Sequence, residues 1–184
     1  PFRRQGTEAS PGTFVRFINR NPQVVDGLPS NAGTGVTSAP VERPQARPVV
    51  NPVRQEADPN AAYKVLVFTR TSGFRHNSIP DGIVAVQRLG REHGFNVDVY
   101  DPALPAVSLP STPFTTAENL AQYRAVVFLN TGGSIMNDAE RAALQGYIRA
   151  GGGYAGVHAA GDTLKDWEWY GKMVGAVFSN HPQG

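Results

Sequence analysis

From Tyr63 onward the apolar positions alternate between two spacings. Short runs, Lys64–Thr69 (KVLVFT), Phe95–Tyr100 (FNVDVY), Ala125–Leu129 (AVVFL) and Tyr154–Val157, have the length and β-branched content of strands. KVLVFT and AVVFL are almost wholly apolar, as in strands covered on both faces of a parallel sheet. Between the runs the spacing becomes helical. Ile79, Ile83, Val86 and Leu89 share a face, Ser78 is a candidate N-cap with Pro80 and Asp81 in the first turn, and Gly94 is the expected stop. A short helix is expected over Thr116–Gln122. Asn137 and Glu140 have capping-box spacing ahead of a helix to about Ala150, with Ala143, Leu144, Tyr147 and Ile148 on one face and Gly151 ending it. A last helix is expected over Lys165–Val174.

Strands alternating with helices predict an α/β fold, a parallel sheet with helices on both faces. Ligands of such sheets bind beyond the C-terminal ends of the strands. The loops there are 70–77, 130–137 and 158–164, which bring Arg75, His76, Asn130, His158 and Asp162 to one rim.

Residues 1–62 break the pattern. Nine of the fifteen prolines fall within residues 1–60, and each removes a backbone donor and restrains its neighbour. This stretch is expected to be a disordered Pro-rich arm or linker, interrupted by one strand-like run, Thr13–Ile18. The domain is expected over 63–184.

The segment with most chemical promise is GGGYAGVHAAGD, residues 151–162. It reads as a buried strand ending in a sharp turn, with His158 at the tip. Gly156 and Ala160 flank the bend with little or no side-chain bulk. The geometry is that of a nucleophile elbow carrying an imidazole. Histidine titrates near neutrality, so it suits general acid–base work, hydrogen bonding or metal ligation. Asp162, four residues on, is a candidate partner for that imidazole, or a cap for the following helix. His76 and Arg75 are candidate substrate contacts, Arg75 through its planar fork; a loop tether and a structural salt bridge are the alternatives. His181 is able to reach the same rim. Trp167 and Tyr170 share a helix face and read as core, whereas Trp169 points elsewhere and is a candidate wall of the site. His93 closes a helix and suits its dipole. Three histidines and an acid are suitable donors for a divalent metal, but no pair has an identifying spacing. No metal or cofactor is therefore assigned.

Composition removes some classes. A formal net charge of +2, its excess confined to the N-terminal third, makes no case for nucleic acid or an anionic membrane surface. No apolar run approaches the roughly 20 residues that span a bilayer. There is no cysteine, hence no disulfide, thiolate metal site or thiol nucleophile. The chain starts at Pro1 and stops after a turn-like His181–Pro182, which suggests a piece of a longer protein.

FTRTSGFRHNSI, FLNTGG and GGGYAGVHAAGDTLKDWEWYGKMVGAVFSNHP together resemble the ThuA-like, or trehalose-utilisation, family over roughly residues 63–184. The resemblance implies a flavodoxin-like fold related to class I glutamine amidotransferases, with later strands missing here. In those relatives the elbow is Gly-x-Cys-x-Gly. Here it reads Gly156, Val157, His158, Ala159, Ala160, so no glutaminyl thioester forms and glutaminase activity is rejected. The resemblance further implies a link to disaccharides or keto-sugars. It also implies a bacterial multidomain setting, exported or periplasmic, beside sugar-dehydrogenase-like or carbohydrate-binding domains. Three readings follow: a sugar-processing enzyme using His158 and Asp162, with Arg75, His76, Asn130, Trp169 and His181 as sugar contacts; a non-catalytic carbohydrate-binding or interaction module; or a metal-dependent hydrolase.

Overall fold

The computed structural model describes residues 51–180; the expected strand at Thr13–Ile18 and His181 lie outside them. In chain order the elements are β1 (Tyr63–Phe68), α1 (Ile79–His93), β2 (Phe95–Tyr100), α2 (Ala117–Leu120), β3 (Ala125–Leu129), α3 (Asp138–Arg149) and β4 (Gly153–Val157). A 3-10 turn (His158–Asp162) and α4 (Glu168–Val174) follow. The four strands form one parallel sheet in the order β2-β1-β3-β4. This is the flavodoxin-like arrangement, with its change of winding direction between β1 and β3.

The pleat divides the core into two layers. Leu66, Phe68, Val126, Phe128 and Tyr154 point to one face, where α2, α3 and α4 contribute Leu120, Leu144, Tyr147 and Tyr170. Val67, Val97, Val99 and Leu129 point to the other, beneath Ile79 and Ile83 of α1. β1 lies between β2 and β3 and is covered on both faces, which is why its sequence is nearly all apolar. Phe68 is wholly buried, packed edge-on to Phe114 and tilted against Phe128. Burying a side chain of that size contributes up to about 3 kcal/mol.

The helix stops follow the expected chemistry. Gly94 closes α1 in the left-handed region at φ 70°. The capping box at Asn137 and Glu140 is complete in both directions. Thr116 caps α2 by accepting from the Asn119 amide. Ser78 stands at the N-cap of α1 without a side-chain bond to the helix: its backbone is helical (φ −79°, ψ −2°) where a capping residue is extended, and its Oγ accepts from Asn130 Nδ2. The triple glycine is explained mainly by space: a Cβ on Gly152 would collide with the Tyr147 ring of α3. The last helix is shorter than its apolar spacing suggests. Residues 158–162 form a 3-10 turn, Leu164 adopts φ 49°, and α4 begins only at Glu168. Asp162 therefore caps no α-helix.

Ordered packing begins before residue 63. The Gln87 amide, buried on α1, donates to Val53 O at 2.9 Å, and Asp58 and Asn96 exchange two 2.9 Å bonds. A buried amide needs such partners, and the end of the Pro-rich stretch supplies them. No helix among the described residues is long and apolar enough to cross a membrane.

Candidate functional site

The site is built where β1, β3 and β4 end. Leu129 of β3 and Val157 of β4 are level in the sheet, so the next residues, Asn130 and His158, are neighbours. Both leave their strands through the left-handed region, at φ 50° and 49°. Asparagine and histidine tolerate that conformation better than most side chains, yet it still costs energy that the surroundings must offset. The surroundings do so by hydrogen bonding. His158 Nδ1 lies 3.0 Å from Asn130 Oδ1, and Asn130 Nδ2 donates to Ser78 Oγ at 3.2 Å. With Asn130 Nδ2 turned to Ser78, Oδ1 faces His158 as an acceptor and matches the Nδ1–H tautomer of the neutral ring. Asn130 is 5% exposed while His158 is open to solvent. The chain thus presents an exposed imidazole on a buried amide anchor.

Below His158 the bend is supported from inside. Tyr170 Oη donates to Ala160 O at 2.9 Å, which leaves Tyr154 to donate to Tyr170 Oη at 2.7 Å. Burial raises both phenols well above their usual range and keeps them protonated. Gly156 is required here, since a Cβ would come within 2.9 Å of Tyr154 Oη and 3.2 Å of Ala160 Cβ. The three loops are joined edge to edge. Ser72 N donates to Gly132 O at 2.8 Å, Gly133 N to Asp162 O at 3.1 Å and Leu164 N to Gly133 O at 3.0 Å. Thr163 Oγ1 donates to Ala159 O, so Thr131 supplies the proton of the 2.8 Å bond between the two threonine hydroxyls.

Of the residues expected at the rim, His76 and Asn130 meet His158. The His76 ring lies edge-to-face on it, with centroids 4.6 Å apart and planes at 80°. Asn130, expected as a sugar contact, instead spends its amide on His158 and Ser78. Arg75 is drawn away by Asp101 of the post-β2 loop, 2.5 Å from its guanidinium and wholly buried in its side chain. A buried carboxylate needs that countercharge, so Arg75 is held in a structural pair. Asp162 turns to Lys165 at 2.6 Å, and the imidazole bonds Asn130. Trp169 packs on Trp167 at 4.8 Å, and its Nε1 donates to Gln145 at 3.2 Å once that amide is turned to present its oxygen. Gln145 lies seven residues into α3, about 10 Å from the rim end of that helix. Trp169 is therefore part of the packing between α4 and α3.

Two residues at the site had escaped the sequence reading. Ser78 anchors Asn130 and does not cap its helix. Phe74 stands 77% exposed on the β1–α1 loop with its ring edge-to-face on His76, centroids 4.9 Å apart. An apolar residue between Gly73 and Arg75 in a polar loop was the available signal for the second. No group of three or more His, Cys, Asp or Glu among the described residues is placed to hold a metal.

The family profile ThuA, described as trehalose utilisation, matches residues 64–184. The chain belongs to the ThuA family. A solved structure of a ThuA-like protein from Bacteroides uniformis ATCC 8492 has the same fold, at a TM-score of 0.51 and 24% identity. The match covers 70% of this chain and 51% of that one, so the ThuA domain here spans about half the length of that relative. No curated protein matches the chain. The elbow with His158 and the loop with His76 both lie inside the matched ThuA region.

Proposed function

We propose that this ThuA domain acts on a carbohydrate, a disaccharide or keto-sugar, with His158 as its general acid–base group. The observation that carries the reading is the Asn130 anchor. It presents Oδ1 to Nδ1–H in the neutral ring and leaves Nε2 as an acceptor on an exposed ring just beyond the C-terminal end of β4. Nε2 takes a proton from a carbon beside a carbonyl, or supplies one to a glycosidic oxygen after protonation. His76, against the same ring, is the adjacent polar contact for substrate. The family's description, trehalose utilisation, supports the substrate class. In this reading Asp162 lies beside the site without orienting His158, since Lys165 holds its carboxylate.

The test is turnover of a keto-disaccharide by purified protein. His158→Ala is expected to keep the far-ultraviolet circular dichroism of the wild type and to lose activity by at least about 100-fold, the usual contribution of a positioned acid–base group. Wild-type turnover in that variant ends the role of His158.

A second reading is a carbohydrate-binding module without chemistry. It is favoured by the engagement of both flanking charges, Asp162 with Lys165 and Arg75 with Asp101, which leaves the imidazole no carboxylate partner. Saturable sugar binding with no turnover by the wild-type protein selects this reading.

A further inference from the structure

We propose that the ThuA site takes an uncharged sugar ring, and that Phe74 is the platform on which it stacks; this rests on the carbohydrate reading above. Two independent observations lead there. The first is electrostatic. Each Lys, Arg, Asp and Glu in the stretches 70–78, 130–137 and 158–166 is paired. Arg70 is held by Glu140 at 3.0 Å, Arg75 by Asp101, Lys165 by Asp162, and Asp166 by Arg141 at 2.6 Å. Among the described residues of these stretches, no Lys or Arg is left without a carboxylate partner to meet a phosphate or carboxylate. What remains is hydrogen-bonding chemistry without a permanent charge: imidazoles, the Ser78 hydroxyl and the exposed Asn77.

The second observation is Phe74. It is the most exposed large apolar side chain among those described, at 77%. The other exposed aromatic rings are placed otherwise. Tyr63 opens β1 at the far edge of the sheet and stacks on Phe95, and Phe178 lies beneath the Lys165 ammonium. Phe74 rides on a loop fixed at both ends, by the bond from Ser72 N to Gly132 O and by that from Ile79 N to His76 O. Between those fixed points Gly73 takes φ 120°, with open space where a Cβ would be. His76 touches both Phe74 and His158, with ring centroids 4.9 and 4.6 Å away. A pyranose has an apolar C–H face and a rim of hydroxyls. Its C–H face covers the Phe74 ring, and its hydroxyls reach the imidazoles. Phe74 is a binding residue and touches no proton in transit.

The experiment is calorimetric titration of wild type, Phe74→Ala, Phe74→Trp and His158→Ala with trehalose, a keto derivative of trehalose and trehalose 6-phosphate. Wild type is expected to bind the uncharged sugars and to bind the phosphate more weakly. Phe74→Ala is expected to weaken uncharged-sugar binding at least about tenfold, and Phe74→Trp to restore it. Equal affinity of Phe74→Ala and wild type, or tighter binding of the phosphate, overturns the proposal while leaving a carbohydrate site in place. Failure of every sugar to bind wild type overturns both this inference and the reading beneath it.

Discussion

Asn130→Ala tests the anchor directly. The substitution removes the acceptor for His158 Nδ1 at 3.0 Å and the donor to Ser78 Oγ at 3.2 Å. Each is a partly buried hydrogen bond worth about 1 kcal/mol net. It also leaves an alanine at φ 50°, where the lost polar side chain no longer eases the left-handed backbone, at about 1 kcal/mol more. The expected loss of stability is about 2–3 kcal/mol in urea denaturation. Asn130→Gly loses the same bonds but relieves the backbone, so it is expected to be about 1 kcal/mol more stable than the alanine variant. Nitrogen-15 NMR of the imidazole supplies a readout that a purely structural role would not move. Wild type and Asn130→Asp, which keeps an acceptor, are expected to show the Nδ1–H tautomer in the neutral ring. The alanine variant is expected to show a mixture. An alanine variant within about 0.5 kcal/mol of wild type, or one with an unchanged tautomer, refutes the anchor.

Three further outcomes are expected. Gly152→Ala drives a methyl group into the Tyr147 ring. It should cost about 1–3 kcal/mol in denaturant unfolding, and a neutral result would mean the ring has room to move. Thr69 is wholly buried at the end of β1 and its Oγ1 has no partner, so Thr69→Val should raise the urea midpoint, by about 1 kcal/mol in stability; a fall would reveal a bonded hydroxyl. Burial pushes the Tyr147 phenol from 10.0 up to about 12. A pKa raised in the fold favours the folded state fully below pH 10.0 and loses that contribution as pH rises towards 12. Tyr147→Phe should therefore flatten the decline of stability across this window, read by circular dichroism against tyrosinate absorbance, and an unchanged slope would contradict the assigned burial.

Much of the fold was readable from local pattern. β2 and β3 have the bounds their apolar runs indicate, and Gly94 and the box at Asn137 close and open their helices as their chemistry requires. These features depend on residues within a few positions of one another. The exception is also local in cause: Trp167, at φ −113° and ψ 94°, is extended inside the expected helix and delays its start to Glu168, and the backbone of one residue leaves no mark in apolar spacing.

The rim divides in the same way. Sequence determined that His76, Asn130 and His158 lie at strand ends on one edge, since a right-handed parallel sheet leaves little choice. Only the tertiary structure decided what each side chain does there. Whether Arg75 is free depends on Asp101, 26 positions away; whether Asn130 meets substrate or His158 depends on the register of β3 against β4. Whether Trp169 faces a ligand or α3 depends on how the last helix docks. Hydrogen-bond and charge partners are chosen by proximity in space, which periodicity along a chain does not encode.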